Sequence, residues 1–328
     1  MSTPLIPQEI YLLERYSSKE YFLPVRDGWE AVVRHVERCL QLFMEQLPPD
    51  YRSRRLQFQP DIVWGERVLP NFRSTLDDLF SAYIRVTHGD LQMLGAASQV
   101  RSDNRGAAEF SSAWMDEPSV ARVIPDADRK YDELLRAAMA HTGNIEFTIR
   151  AQWAATELTT RYHESRGPLN PPERWPRYRL NPAVQVKTGD PVPQTGIYLP
   201  DVDQGCATLL IKDDEALEAE VLIRIHESFD EDGVKYDEYA LTERRPTHWT
   251  LVERVPGEFV DDPLADLLQG DSASARIERV PAGQPCPRTG WWYTPAKLDS
   301  RRRFVEGEVF PAIESSDYGA TFWLWSQE

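Results

Sequence analysis

Three kinds of residue cluster in this 328-residue chain could do chemistry. His88-Gly89-Asp90, with Arg85 one turn upstream, supplies the imidazole and carboxylate of a general-base pair. Such a pair needs a nucleophile to act on. Because the tripeptide sits inside a helical pattern, it reads as a helix break with a polar cluster. Serines pair at Ser17-Ser18, Ser111-Ser112 and Ser315-Ser316, none within a Gly-x-Ser-x-Gly elbow. The third cluster is acidic and runs from Asp213 to Glu238, relieved only by Arg224 and Lys235. As glycosidase acids these carboxylates would need a sugar cleft. Otherwise they make a solvated, self-repelling surface or an electrostatic docking face for a basic protein. The docking face is assigned to Glu227, Asp230, Glu231, Asp232, Asp237 and Glu238.

Several chemistries lack their residues. The histidines at 35, 88, 141, 163, 226 and 248 form no His-x-x-x-His or His-Glu-x-x-His pair, so no metal site is expected. No phosphate-loop or dinucleotide fingerprint occurs, and no cofactor is expected. Cys39, Cys206 and Cys286 are too few and too widely spaced for a disulfide framework, and are expected as buried small residues. The net charge of −16, concentrated in the second half, repels nucleic-acid backbones and anionic membrane surfaces and attracts basic partners. No basic leader followed by an apolar run opens the chain, and no stretch approaches a membrane span. The expected location is the cytoplasm.

The positioning elements change character along the chain. Apolar residues from Trp29 to Leu47 recur at helical spacing after a potential cap at Asp27, and Pro48-Pro49 ends the run. Further helices are predicted at 74–97, with Leu76, Leu79, Phe80, Tyr83, Ile84 and Val86 inward, and at 106–115, 127–141 and 145–165. Gly89 and Gly95 are potential breaks in the second of these. The whole reads as an antiparallel helical bundle over 1–166. Residues 167–182 are proline-rich and read as a linker, unsuited to a helix or an inner strand. Residues 183–328 read as a mostly β domain, giving an α+β fold. Within it, 221–229 and 234–241 flank a Glu231-Asp232-Gly233 turn, which predicts a hairpin, and 262–270 predicts an isolated helical turn.

One phrase is written twice. VKTGDPVPQTGIY at 186–198 and VPAGQPCPRTGWW at 280–292 share Gly, Pro, Pro, Thr and Gly without a gap. Each is followed by an Ala-Thr step into an apolar run, at 207–211 and at 320–325, so 186–211 and 280–325 are expected to be two related β-modules, the second with a longer arm at 293–319. Trp291 and Trp292 must face opposite ways in a strand. One belongs to the core, and Trp292 is assigned to the partner surface. Arg301-Arg302-Arg303 offsets local acid.

The loop 283–292, with Phe304-Val305-Glu306-Gly307-Glu308, Phe310-Pro311, Gly319-Ala320-Thr321 and Trp323-Leu324-Trp325, resembles a phrase of bacterial immunity proteins, in particular immunity protein family 72 or its sister family 71. The match covers about the last 50 residues of the sequence, with a looser echo at 186–211. These proteins protect cells from polymorphic toxins, including those delivered by type VI secretion. The resemblance implies a helical part followed by this β region, and binding of a cognate toxin without catalysis. It carries no catalytic residue onto this chain. An acidic face that occludes the cleft of a basic toxin agrees with the composition. Two alternatives stand beside it: a hydrolase-like enzyme whose site is assembled from distant residues, and an adaptor that carries an effector without inhibiting it.

Overall fold

The apolar stripe that begins at Trp29 forms the axis of the helical region. In the computed structural model, which describes residues 3–229, 235–265, 279–294, 300–313 and 321–325, helix α1 (Pro7–Tyr16) leads into α2 (Lys19–Glu45). Helix α2 buries Trp29, Val32, Val33, Val36, Cys39 and Phe43. It starts earlier than expected, at Ser18, whose hydroxyl accepts from the Tyr21 N–H at 3.2 Å. Helices α3 (Leu69–Thr87) and α6 (Ala127–Met139) pack on α2, and α4 (Ala97–Ala107), α5 (Pro118–Ala121) and α7 (Thr142–Ile149) complete the region.

A π-helical stretch, Asp61–Val68, runs directly into α3. Phe72, Thr75, Leu79, Ala82 and Val86 are buried, while Phe80 and Ile84, expected inward, are exposed. Phe80 is instead covered by the Arg26 guanidinium, 5.0 Å from the ring centre. Helix α3 stops at the expected break, where Gly89 has φ +91°. The helix expected at 106–115 lies earlier, as α4. The one expected at 145–165 ends at Ile149, because the backbone turns left-handed at Ala151 (φ 52°) and Thr156 (φ 73°). Trp153 and Leu158 nevertheless reach the core.

The β region is antiparallel throughout. Strands β1 (Trp175–Lys187), β2 (Gly196–Pro200), β3 (Thr208–Leu210) and β6 (His248–Val260) form one sheet in the order β1-β6-β2-β3. Strands β4 (Ala219–Phe229) and β5 (Lys235–Arg245) pair with each other as a two-stranded ribbon. Their expected turn, Glu231-Asp232-Gly233, lies outside the described residues, as does most of the helical turn expected at 262–270. Strands β7 (Arg279–Pro281), β8 (Gly290–Tyr293), β9 (Arg302–Phe304) and β10 (Phe322–Trp325) form a sheet in the order β7-β10-β8-β9.

The two four-stranded sheets have the same topology, strand for strand. The shared phrase makes the same bonds in each. Gly189 (φ 90°) donates its N–H to Ala216 O at 2.9 Å, and Gly283 (φ 85°) donates to Phe310 O at 2.8 Å. That left-handed backbone explains why both copies need glycine there. Thr195 Oγ1 accepts from Lys212 N, and Thr289 Oγ1 accepts from Glu306 N, each at 2.9 Å. Gly196 sits where a Cβ would fall 2.6 Å from Leu251 Cδ1. The cores correspond too: Val192, Tyr198, Leu210, Ala216 and Trp249 in the first module stand where Cys286, Trp292, Phe304, Phe310 and Trp323 stand in the second. Trp249 Nε1 donates to Leu217 O (2.7 Å), and Trp323 Nε1 donates to Pro311 O (2.9 Å).

This geometry overturns one sequence alignment. The run 320–325 does not match 207–211. Its β10 is the counterpart of β6, and β3 matches β9. The longer insertion therefore belongs to the first copy, and it is the β4–β5 ribbon.

The chain divides into compact units at 1–263 and 264–328, so the division falls after the first module and not in the proline-rich stretch. The end of that stretch is strand β1, which tolerates Pro176 and Pro182 because it is an edge strand with register irregularities beside both. Tyr178, Ile197, Leu199, Leu209 and Val252 of the first module lie in the same core as the helices. Helix α1 seals that junction. Glu14 accepts from the Tyr178 hydroxyl (2.7 Å) and from Arg254 (2.6 Å). Glu9 accepts from the Ala207 N–H (2.7 Å) beside the buried Cys206.

Burial pushes the Glu9 carboxyl up to about 7, against the opposing pull of its bond to Ala207. In the unfolded chain it titrates at its ordinary value of 4.5. Between the two values the folded state holds the extra proton, so this group's stabilisation is complete below the unfolded value and is lost as pH rises through the folded one. The full difference corresponds to about 3 kcal/mol. Glu9→Gln is expected to flatten the fall in stability between pH 5 and pH 8, and to exceed the native chain in stability at pH 8. Urea unfolding at both pH values checks this, and an unchanged pH dependence in the variant contradicts it.

Candidate functional site

The β4–β5 ribbon holds Glu220, Glu227, Asp237 and Glu238 of the acidic cluster, and Asp213, Asp214, Glu215 and Glu218 precede it. Its register sets Glu227 directly across from Glu238 and Ser228 across from Asp237. Glu227, Asp237 and Glu238 are exposed, together with Ile223, Tyr236 and Tyr239. Tyr236 is the most open of the large hydrophobic side chains among the described residues, at 70%. The His226 ring rests on Tyr239, with ring centres 4.8 Å apart. Arg161, from the turn-rich segment after α7, ties the ribbon down through Glu238 Oε1 at 3.0 and 3.1 Å. Nearer the root, Glu220 accepts from Thr242 and Arg244. Asp214, in the turn before the ribbon, accepts from Gln92 at 2.7 Å. Asp230, Glu231 and Asp232 lie outside the described residues.

Trp292 does not belong to a partner surface. It is wholly buried in the second module's core, against Phe310 at 5.0 Å, with Nε1 donating to Arg288 O at 3.3 Å. Strand alternation places its neighbour Trp291 outward, 39% exposed, with the Arg301 guanidinium 5.2 Å from its ring. Alternation alone requires one Trp to face each way. The phase follows from Tyr198, which occupies the equivalent buried position in the first module.

The candidate catalytic groups resolve into structural roles. His88 Nδ1 lies 2.8 Å from Ile84 O, and Asp90 pairs with Arg85 at 2.5 Å, which makes a helix-end cluster. Ser17 and Ser18 donate to the carbonyls of Leu13 and Arg15, each at 2.7 Å, and Ser111 Oγ accepts from Ala113 N at 3.3 Å. Ser315 and Ser316 lie outside the described residues. A Ser–His contact that the sequence pattern does not reveal joins Ser165 Oγ to His163 Nδ1 at 2.9 Å. The same nitrogen accepts Ser165's own N–H at 3.1 Å, which is the geometry of a turn cap. A His–Asp pair also forms, His248 with Asp201 at 3.3 Å. There the Thr247 hydroxyl donates to the Asp201 carboxylate at 2.5 Å rather than to the imidazole, so the carboxylate clamps a turn and activates no nucleophile. The Thr247 and His248 bonds hold Asp201 below the usual carboxylate range. His35 and His141, lowered by burial, bond the carbonyls of Ala127 and Tyr21 inside the helical region.

A cavity of 470 Å³ opens in the helical region between Phe58, Trp64 and Trp114, with Arg54 and Glu117 paired at 2.7 Å on its wall. Among the described residues no group of three or more His, Cys, Asp or Glu is placed to hold a metal ion, and no helix is long and apolar enough to cross a membrane. Cys39, Cys206 and Cys286 are buried. No family model, curated protein or solved structure matches the chain.

The two tryptophans give a contrast. Trp292→Ala is expected to cost about 3–5 kcal/mol of stability, as other large core truncations do, and Trp291→Ala less than about 1 kcal/mol. Thermal unfolding of the two variants side by side measures the difference. Equal losses would place Trp291 in the core as well.

Proposed function

We propose that this protein is an immunity protein, which binds a cognate antibacterial toxin in the cytoplasm of the producing cell and blocks it without chemistry of its own. The observation that carries the reading is the β4–β5 ribbon. It is an insertion in one copy of a duplicated module and acid-rich in sequence, and among its described residues Glu227, Tyr236, Asp237, Glu238 and Tyr239 are exposed. Exposed tyrosines are common anchors for a protein partner, and the carboxylates draw a basic partner in by long-range attraction. The resemblance of 283–325 to immunity proteins supports the same reading. A basic toxin whose cleft accepts an anionic substrate would take the ribbon in its place.

The enzyme alternative gains no support from the His, Ser and Asp contacts, each of which closes a turn or a helix end. The adaptor alternative differs in one respect only: an adaptor binds its effector without inhibiting it.

The test is affinity capture from the native host's lysate at low and high salt, followed by expression of any stoichiometric partner alone and together with this chain. A partner that kills when expressed alone and is neutralised by this protein supports the reading. A partner that stays toxic in the complex identifies an adaptor. Glu227→Lys and Asp237→Lys are each expected to weaken the complex at least about tenfold at low salt, through slower association, and to have a smaller effect when salt shortens the screening length to about 3 Å. Affinity that does not change with salt or with either substitution removes the ribbon from the interface.

A further inference from the structure

The duplication shows what the second module's sheet leaves open. In the first module one sheet face carries Ile197, Leu199 and Leu209, each about 5% exposed because helices of this chain cover them. Helix α1 packs on β1 and β2, and α7 packs on β3. The corresponding positions of the second module are Trp291, Tyr293 and Arg303. Trp291 and Tyr293 are 39% and 36% exposed, and Arg303 is exposed as well. Trp291 is the cross-strand partner of Arg303, and Tyr293 that of Leu324, so aromatic, aliphatic and cationic groups share one face.

We propose that this face docks an amphipathic α-helix of a partner protein, whose apolar ridge is flanked by carboxylates. The first module supplies the template. Its covering helix α1 buries Ile10, Leu12 and Leu13 and presents Glu14 to a tyrosine hydroxyl and an arginine of the sheet. The second module offers the matching groups from the sheet side: two large aromatic side chains in place of aliphatic ones, with Arg303 beside Trp291 and Arg301 over its ring. Four strands span about 14 Å, room for one helix of about 10 Å diameter. The cations select an acidic helix and disfavour a basic one. This face and the β4–β5 ribbon belong to different sheets, and the proposal does not rest on what the ribbon binds.

The probe is a fluorescein-labelled peptide of residues 3–18 of this chain, the segment that contains α1, titrated with the full-length protein and read by anisotropy. A second peptide carries Glu9→Lys and Glu14→Lys. Saturable binding of the acidic peptide is expected, weakened at least about tenfold by Trp291→Ala and by Arg303→Glu, each of which removes a central contact. Arg303→Glu is further expected to reverse the preference, so that the lysine peptide binds better than the acidic one. This charge swap does not depend on Trp291→Ala folding, and circular dichroism checks both variants. The proposal is overturned by absence of saturable binding, by binding that neither substitution weakens, or by Trp291-dependent self-association in sedimentation. The last outcome would make the occupant a second copy of this chain.

Discussion

A β-sheet has two faces to bury, and the first module meets that constraint with two different partners. Tyr198, Trp249 and Leu251 pack inward against the module's own loops, while Tyr178, Ile197, Leu199, Leu209 and Val252 face the helices. Each side chain of that second group is worth about 2 kcal/mol when taken out of water. Together they rival the whole stability of an ordinary domain, about 5–15 kcal/mol. The helical region and the first sheet therefore fold as one body, and the proline-rich stretch between them cannot act as a free hinge. Glu9 and Glu14 add polar bonds at the same seam, so the junction fixes the seating of α1 on the sheet as well as its burial.

Once that sheet is fixed, the insertion between Leu217 and His248 has a firm base. Its composition is not what stability alone would select. Glu227 lies directly across the ladder from Glu238, and like charges in that position repel. Arg161 offsets part of that repulsion through its pair with Glu238. A ribbon built only to finish a fold would place opposite charges or threonines there. The second module has only the short stretch from Pro311 to Phe322 where the first carries the ribbon, and it closes its sheet with the same loop bonds, so the ribbon is dispensable to the module's architecture.

Legibility in the sequence depended on how local each constraint is. The repeat could be read because Gly189 and Gly283 need a left-handed backbone, and Thr195 and Thr289 each cap a loop, demands that a few adjacent residues satisfy. Helices then sheets could be read from periodicity. Phase was harder. The core-facing side of α3 runs through Phe72, Thr75, Leu79, Ala82 and Val86, so Phe80 and Ile84 lie outside it although their spacing is helical. Adjacent tryptophans showed alternation but not which one was inside. Strand correspondence failed for a different reason: 320–325 and 207–211 share an Ala-Thr step, yet β10 is defined by pairing with both β7 and β8, which is a tertiary fact. The end of the proline-rich stretch reads as a linker yet forms strand β1, because proline forbids an inner strand and permits an edge one, and a sequence does not show which strand will be the edge.

A perturbed group marks an active site when it sits in a cleft that substrate can reach. Here Glu9 is about 1% exposed and is raised mainly by desolvation. Cys39, pushed up to about 12, and Cys206, pushed well above the ordinary thiol value, are raised by the same cause. A thiol raised in this way is a poor nucleophile, because the thiolate is the reactive form. These displacements record packing at the helix–sheet seam and inside the helical core. The groups a partner can reach are of another kind, carboxylates and tyrosines on the ribbon and an aromatic–arginine face on the second sheet. Such groups act by recognition, through area and charge.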